Sequence, residues 1–194
     1  HEIPLTNHHL SKNNDVFSKF YGRIPIEFAS SLMYFHKKGI VQEMIHKLKY
    51  KGQEEIGEAI GYWYAEDLKK NAIIQSADYI IPVPLHKKRR KQRGYNQVDK
   101  FGKALSEILG IPFEETILRR NVYSKTQTKK NLLDRTEVKD ATFEAVFDEN
   151  HHGKHFILID DVITTGSTLE TCSRALLKVP DVKISIVCMA MSHN

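Results

Sequence analysis

At 194 residues the chain is long enough for one α/β-sized domain with a small appendage and too short for two large ones. A composition that is 41% hydrophobic and 27% charged suits a globular protein with a core and excludes a disordered or fibrous chain. The 29 basic and 24 acidic side chains sum to +5, and the two cysteines, Cys172 and Cys188, do not make a secreted disulfide scaffold. No apolar run approaches the ~18 residues of a membrane helix, so no membrane insertion and a reducing, cytoplasmic location are expected. The chain begins at His1 rather than Met, and a segment upstream of it is expected to have been removed.

The positive charge is concentrated. Residues 87–93 hold six cations (Lys87, Lys88, Arg89, Arg90, Lys91 and Arg93) and no acid, and residues 119–135 hold six more against Asp134 alone. These segments carry +6 and +5, which leaves the rest of the chain at −6. Two basic loops on an acidic body point to a localised anion, whereas a uniformly basic surface would point to nucleic acid.

Along the chain, residues 1–20 are polar, rich in His and Asn and without periodicity, and read as a loosely ordered leader. Residues 21–75 read as an N-terminal hood and helical region. It opens with a β-favouring stretch from Phe28 to Phe35. A helix follows with Ile40, Val41, Met44, Ile45 and Leu48 on one face and Lys47, Lys49 and Lys51 on the other, and a second helix covers 54–70. Residues 76–194 alternate strand, loop and helix as an α/β core. A strand over 77–83 leads into the first basic loop and a helix over 94–109. Ile117 and Leu118 start a strand that enters the second basic loop, then come a short helix near 131–138 and a strand near 142–147. The uninterrupted apolar run Phe156-Ile-Leu-Ile159 predicts a strand buried on both faces of a parallel sheet, followed by a helix over 167–178 and a strand over 182–189. Such sheets bind ligands at the carboxyl ends of their strands.

The segment following that buried run concentrates the chemistry. Asp160 and Asp161 leave the strand side by side, too close for comfort unless a cationic or hydroxyl-rich ligand shares their charge. Thr164, Thr165, Gly166, Ser167 and Thr168 follow and open a helix, whose free N–H groups and hydroxyls would cradle a phosphate while Gly166 allows close backbone approach. The plainer alternative is a helix cap beside solvated acids. No Gly-x-x-x-x-Gly-Lys-Ser/Thr run occurs, which excludes a phosphate-binding-loop NTPase.

This segment resembles the phosphoribosyl pyrophosphate (PRPP) signature of the type I phosphoribosyltransferases over its whole length. A narrower resemblance, over about residues 24–190, is to the ComF family of competence-associated phosphoribosyltransferase-like proteins. It rests on Ile81-Pro-Val-Pro-Leu-His86, Arg89, Arg93-Gly-Tyr-Asn-Gln97, Thr126-Gln127, Leu132, Arg135 and Ala141-Thr-Phe143. The resemblance implies an α/β, type I phosphoribosyltransferase fold, a central parallel sheet flanked by helices with a small N-terminal hood. It implies that Asp160 and Asp161 hold the ribose hydroxyls, directly or through Mg²⁺, and that Thr164 to Thr168 bind the 5-phosphate. The loop after the first core strand, with Pro84, Leu85, His86, Arg89 and Arg93, would grip pyrophosphate, Arg being suited to bidentate contact. Loop 119–135, with Gln127 and Arg135, would form a lid.

Two departures qualify the resemblance. ComF proteins usually begin with a Cys-rich zinc ribbon, and no Cys precedes Cys172, so that module is expected to be absent or trimmed. Thr164 stands where 6-oxopurine phosphoribosyltransferases carry an Asp, which disfavours a hypoxanthine-guanine activity. The expected function is phosphoribosyl transfer to a small-molecule acceptor held by residues 20–52, with Tyr34, Phe35 and His36 as candidate contacts. The competing expectation is a non-catalytic partner in DNA uptake that meets a competence-machinery protein or single-stranded DNA, or binds PRPP as a regulator.

Overall fold

The computed structural model describes residues 2–121 and 142–192. Four parallel strands form the central sheet in the order β1-β6-β5-β2: β1 (Phe28–Phe35), β6 (Lys183–Ser192), β5 (His155–Ile163) and β2 (Tyr79–Pro82). Helices cover both faces, as expected of a type I phosphoribosyltransferase core. Strand β5 shows why. Ile157 and Ile159 enter one core with helices α2 (Ile40–Tyr50), α3 (Glu55–Leu68) and α6 (Asp99–Leu109). Phe156 and Leu158 enter the other with α7 (Ser167–Leu176) and the short helix α1 (Asp15–Ser18). Two short strands, β3 (Leu118–Arg120) and β4 (Phe143–Ala145), pair antiparallel beside α7. Two further short α-helices flank β2, α4 (Ala72–Gln75) before it and α5 (Lys87–Arg93) after it. Among the described residues no helix is long and apolar enough to cross a membrane.

Three expectations change. The leader is packed: Val16 and Phe20 are completely buried, spaced one helical turn apart so that polar neighbours masked them, and Asn14 caps α1 while donating to Ala29 O at 2.8 Å. The β-strand of the expected hood, β1, belongs to the sheet, with Phe28 opposite Ser185 and Phe35 opposite Ser192 of β6. The first basic loop is instead the helix α5, because His86 Nδ1 accepts the Lys88 N–H at 3.2 Å and Gly94, at φ 84°, closes the other end. The short helix near 131–138 falls outside the described residues.

Helices α3 and α6 pack at closest approach over Gly61. A Cβ there would lie 2.7 Å from both the Phe101 carbonyl oxygen and Ala104 Cβ. Alanine gains about 1 kcal/mol over glycine in a helix interior, but overpacking against a backbone atom costs ~1–3 kcal/mol and cannot be relieved by rotating a side chain. Gly61→Ala is therefore expected to lower the urea midpoint.

Asp99, in the first turn of α6, has its carboxyl pushed up to about 6, by burial first and then by Glu115, with Arg90 and Lys103 pulling the other way. A folded-state value above the unfolded one means that ionisation opposes folding, so this group's contribution falls as pH rises from about 4 to about 7. Asp99→Asn should flatten that part of the stability profile and raise the melting temperature at neutral pH. A variant profile parallel to wild type would show that Asp99 is not the group responsible.

Candidate functional site

Strand β5 delivers Asp160 and Asp161 to the carboxyl edge of the sheet, and the chain then turns through Thr164, Thr165 and Gly166 into α7. Gly166 sits at φ 80°, where an added Cβ would also lie 3.1 Å from the Phe20 ring. The turn is braced from outside: Arg23 donates to Thr165 O at 3.0 Å and pairs with Glu170, which Arg174 holds at 2.9 Å. Burial alone would raise the Glu170 carboxyl, but the hydrogen bonds from Arg174 and Arg23 outweigh it and hold the group below its usual range. Thr164, Thr165, Ser167 and Thr168 are exposed around a depression of about 70 Å³, and Asp160 completes its wall. Thr165 Oγ1 and Ser167 Oγ lie 3.0 Å apart there. Clustered hydroxyls at the positive end of a helix form an anion cradle.

The adjacent acids have different surroundings, because successive side chains of a strand leave on opposite faces. Asp160 borders the depression, its Oδ1 accepts the Asp161 N–H at 2.8 Å, and its charge acts on the buried Cys172 thiol of α7. Burial, and after it the charge of Asp161, holds the Asp160 carboxyl well above the usual carboxylate range. Asp161 is buried on the side of α2 and α6. Its Oδ2 accepts from Lys49 Nζ and from Gln97 Nε2, each at 2.8 Å, and its Oδ1 accepts from Val162 N at 2.6 Å. Of the pair expected to meet one ligand, only Asp160 opens on the depression. As a hard oxygen donor beside an anion cradle, Asp160 fits Mg²⁺, whereas the donor shell of Asp161 is already taken. Among the described residues no group of three or more His, Cys, Asp or Glu is placed to hold a metal.

The expected pyrophosphate segment leaves the neighbouring strand. Val83 N donates to Ile159 O at 3.0 Å, so Pro84, Leu85 and His86 emerge beside the strand end that carries Asp160. Helix α5 follows with none of its residues buried, and Arg90 reaches Glu115 only at 4.0 Å. Arg89 is exposed, whereas Arg93 turns inward, its guanidinium 4.9 Å over the Tyr50 ring and donating to Gln97 Oε1 at 2.7 Å. Arg93, Gln97, Asp161 and Lys49 thus form one continuous chain of polar contacts. Arg119 and Arg120, expected in the lid, belong to β3. Arg120 lies 5.1 Å over Phe143, where burial, with a lesser push from Arg89, lowers its guanidinium's pKa. Gln127 and Arg135 lie outside the described residues. Tyr34 and His36 line a separate cavity of about 290 Å³ at the end of edge strand β1, two strands away from β5.

The sequence is 35% identical over 140 residues to Competence protein F of Haemophilus influenzae, an alignment covering 70% of this chain and 61% of that protein. It is 30% identical over 143 residues to Competence protein ComFC of Bacillus subtilis, covering 72% of this chain and 54% of that one. The chain is similar in sequence to these ComF-type competence proteins.

The chain spans less than two thirds of the length of either relative. No family model matches it. Among solved structures it is similar to a purine phosphoribosyltransferase from Pyrococcus horikoshii at 23% identity and a TM-score of 0.44, covering 70% of this chain and 73% of that one. Within the segment Arg93-Gly-Tyr-Asn-Gln97, Tyr95 donates to Leu48 O, Asn96 donates to Val83 O at 3.1 Å, and Gln97 holds Asp161. The segment therefore ties α2, β2 and β5 together. Sequence reasoning missed Lys49 and Arg23. The periodicity places Lys49 only on the helix face opposite the apolar one, and Arg23 lies between the leader and the first strand, where no pattern singles it out.

Proposed function

We propose that the chain binds PRPP with Mg²⁺ and transfers its phosphoribosyl group to a small-molecule acceptor, releasing pyrophosphate. The observation that carries this reading is the depression in which Asp160 meets the hydroxyl-rich start of α7, at the carboxyl end of a buried parallel strand and beside the strand that leads into the cationic helix α5. The hydroxyls of Thr164, Thr165, Ser167 and Thr168 and the N–H groups of the first turn take the 5-phosphate. Asp160 accepts from the ribose hydroxyls, and Arg89, exposed on α5, would meet departing pyrophosphate, joined by Arg93 once it releases Gln97.

In this transfer the bond from ribose C1 to pyrophosphate oxygen breaks ahead of acceptor attack, so positive charge builds on the ribose and negative charge on the leaving group. Fixed charges answer both: the carboxylate of Asp160 favours the ribose cation, and the guanidinium groups favour departing pyrophosphate. Mg²⁺, when bound, would add charge neutralisation at the pyrophosphate. Calorimetric titration of PRPP with Mg²⁺ should give saturable heat, with an affinity that Asp160→Asn lowers about 100-fold. No heat at millimolar PRPP overturns the reading. A cytoplasmic setting, where PRPP is free, belongs to the same proposal.

One observation favours a second reading. Helix α5 carries six cations and buries none of its residues, and like charges three and four residues apart destabilise a helix that no polyanion covers. Together with the competence names of the relatives, this supports a non-catalytic partner in DNA uptake that binds single-stranded DNA, or PRPP as a regulator, and meets another protein of that machinery. Six phosphate contacts predict a log–log salt slope of about −4 for single-stranded DNA, insensitive to Asp160→Asn. A flat salt response overturns it.

A further inference from the structure

We propose that Lys49 takes the place of a metal ion at Asp161, so that the two acids divide their work: Asp160 alone meets ligand or cation, and Asp161 with Lys49 positions the strand end. The inference rests on the proposed PRPP site for its setting but not for its test. Three donors converge on the Asp161 carboxylate: the Lys49 ammonium and the Gln97 amide at 2.8 Å on Oδ2, and the Val162 N–H at 2.6 Å on Oδ1. The Asp161 side chain is 6% exposed and that of Lys49 23%, so water competes weakly for the ion pair. A divalent cation at Asp161 would have to displace an ammonium that already supplies the positive charge, and would leave that ammonium without a partner beside it.

The three donors come from different parts of the fold. Lys49 is on the last turn of α2, Gln97 lies just before α6, and Val162 is in β5 itself. Gln97 also accepts from Arg93 at the end of α5. Asp161 is therefore the point at which α2, the cationic helix and the acid-bearing strand are joined, and Lys49 is a positioning residue.

Manganese alone is the probe, titrated into the free protein and read by the loss of the aqueous Mn²⁺ resonance in electron paramagnetic spectra. Lys49→Met should create a Mn²⁺ site at least about 10-fold tighter than any in wild type, because it leaves a buried carboxylate in search of a cation. Adding Asp161→Asn to Lys49→Met should abolish that gain, and Lys49→Arg should behave as wild type. A Lys49→Met protein that folds without gaining the site overturns the proposal. If Lys49→Met does not fold, wild type and Asp160→Asn decide: Mn²⁺ bound by wild type must be lost in Asp160→Asn, and binding retained there at the same affinity overturns the proposal. No PRPP is present, so failure here is separate from failure of the PRPP titration.

Discussion

Asp160→Asn should weaken PRPP binding about 100-fold while leaving the fold at least as stable as wild type. The loss follows from replacing a carboxylate that accepts two ribose hydroxyls by an amide with one acceptor oxygen. Charge-assisted hydrogen bonds contribute ~1.5–3 kcal/mol each, and roughly 3 kcal/mol corresponds to about two orders of magnitude in affinity. The unchanged or improved stability follows from the surroundings of the side chain. Burial, then the Asp161 charge, raises the Asp160 carboxyl in the folded protein, so its ionised form opposes folding. An Asn Oδ1 can still accept the Asp161 N–H that Asp160 accepts at 2.8 Å. The sign is definite: wild type should lose stability relative to Asp160→Asn as pH rises from the ordinary carboxylate range through neutrality, and the two should converge in acid. Calorimetry with PRPP and thermal melts across pH read the two halves independently. A variant that binds PRPP normally, or one that melts far below wild type, would refute the corresponding half.

Asp161→Asn should behave in the opposite way, costing about 3 kcal/mol of stability, the range for breaking one side of a buried ion pair. Its carboxylate is enclosed by Lys49, Gln97 and the Val162 N–H, and an Asn would turn away the ammonium or crowd its own NH₂ against that of Gln97. Lys49→Met should cost a comparable amount, because it leaves the Asp161 charge buried with one amide and one N–H. The double variant Lys49→Met with Asp161→Asn should be more stable than the sum of the single losses predicts, since no uncompensated charge remains. Urea denaturation of the four proteins closes the cycle. Additive losses would show that Lys49 and Asp161 do not act on each other. Two neighbouring acids with opposite mutational signatures, one tuned for ligand and one for the fold, are a direct consequence of their leaving β5 on opposite faces.

Much of this site was legible in the sequence because it is local. Four apolar residues, two acids and five small or hydroxylated residues run without a break, and chain continuity alone puts the acids at a strand end and the hydroxyls at a helix start. The burial of Phe156 to Ile159 on both faces was legible for the same reason, since an unbroken apolar run has no polar side to expose. The packed leader was not. Its fully buried apolar side chains, Val16 and Phe20, stand in a largely polar stretch, and only their fit against the β5 side of the sheet shows that they are interior. Helix α5 escaped because six like charges argue against a helix, while its ends are set by one side-chain cap at His86 and a left-handed Gly94.

Composition raised the question of what anion a chain of net charge +5 serves, and the positions of the cations answered it in part, by assigning the excess to residues 87–93 and 119–135. The sequence by itself determined the parallel α/β class and the acid-and-hydroxyl segment from Asp160 to Thr168, because both are written in contiguous residues and in short-range periodicity. Only the tertiary structure decided which acid is open and which is closed. Lys49 and Gln97 reach Asp161 from distant parts of the chain, and a contact between residues so far apart depends on how α2 and α6 dock on the sheet, which no local pattern encodes.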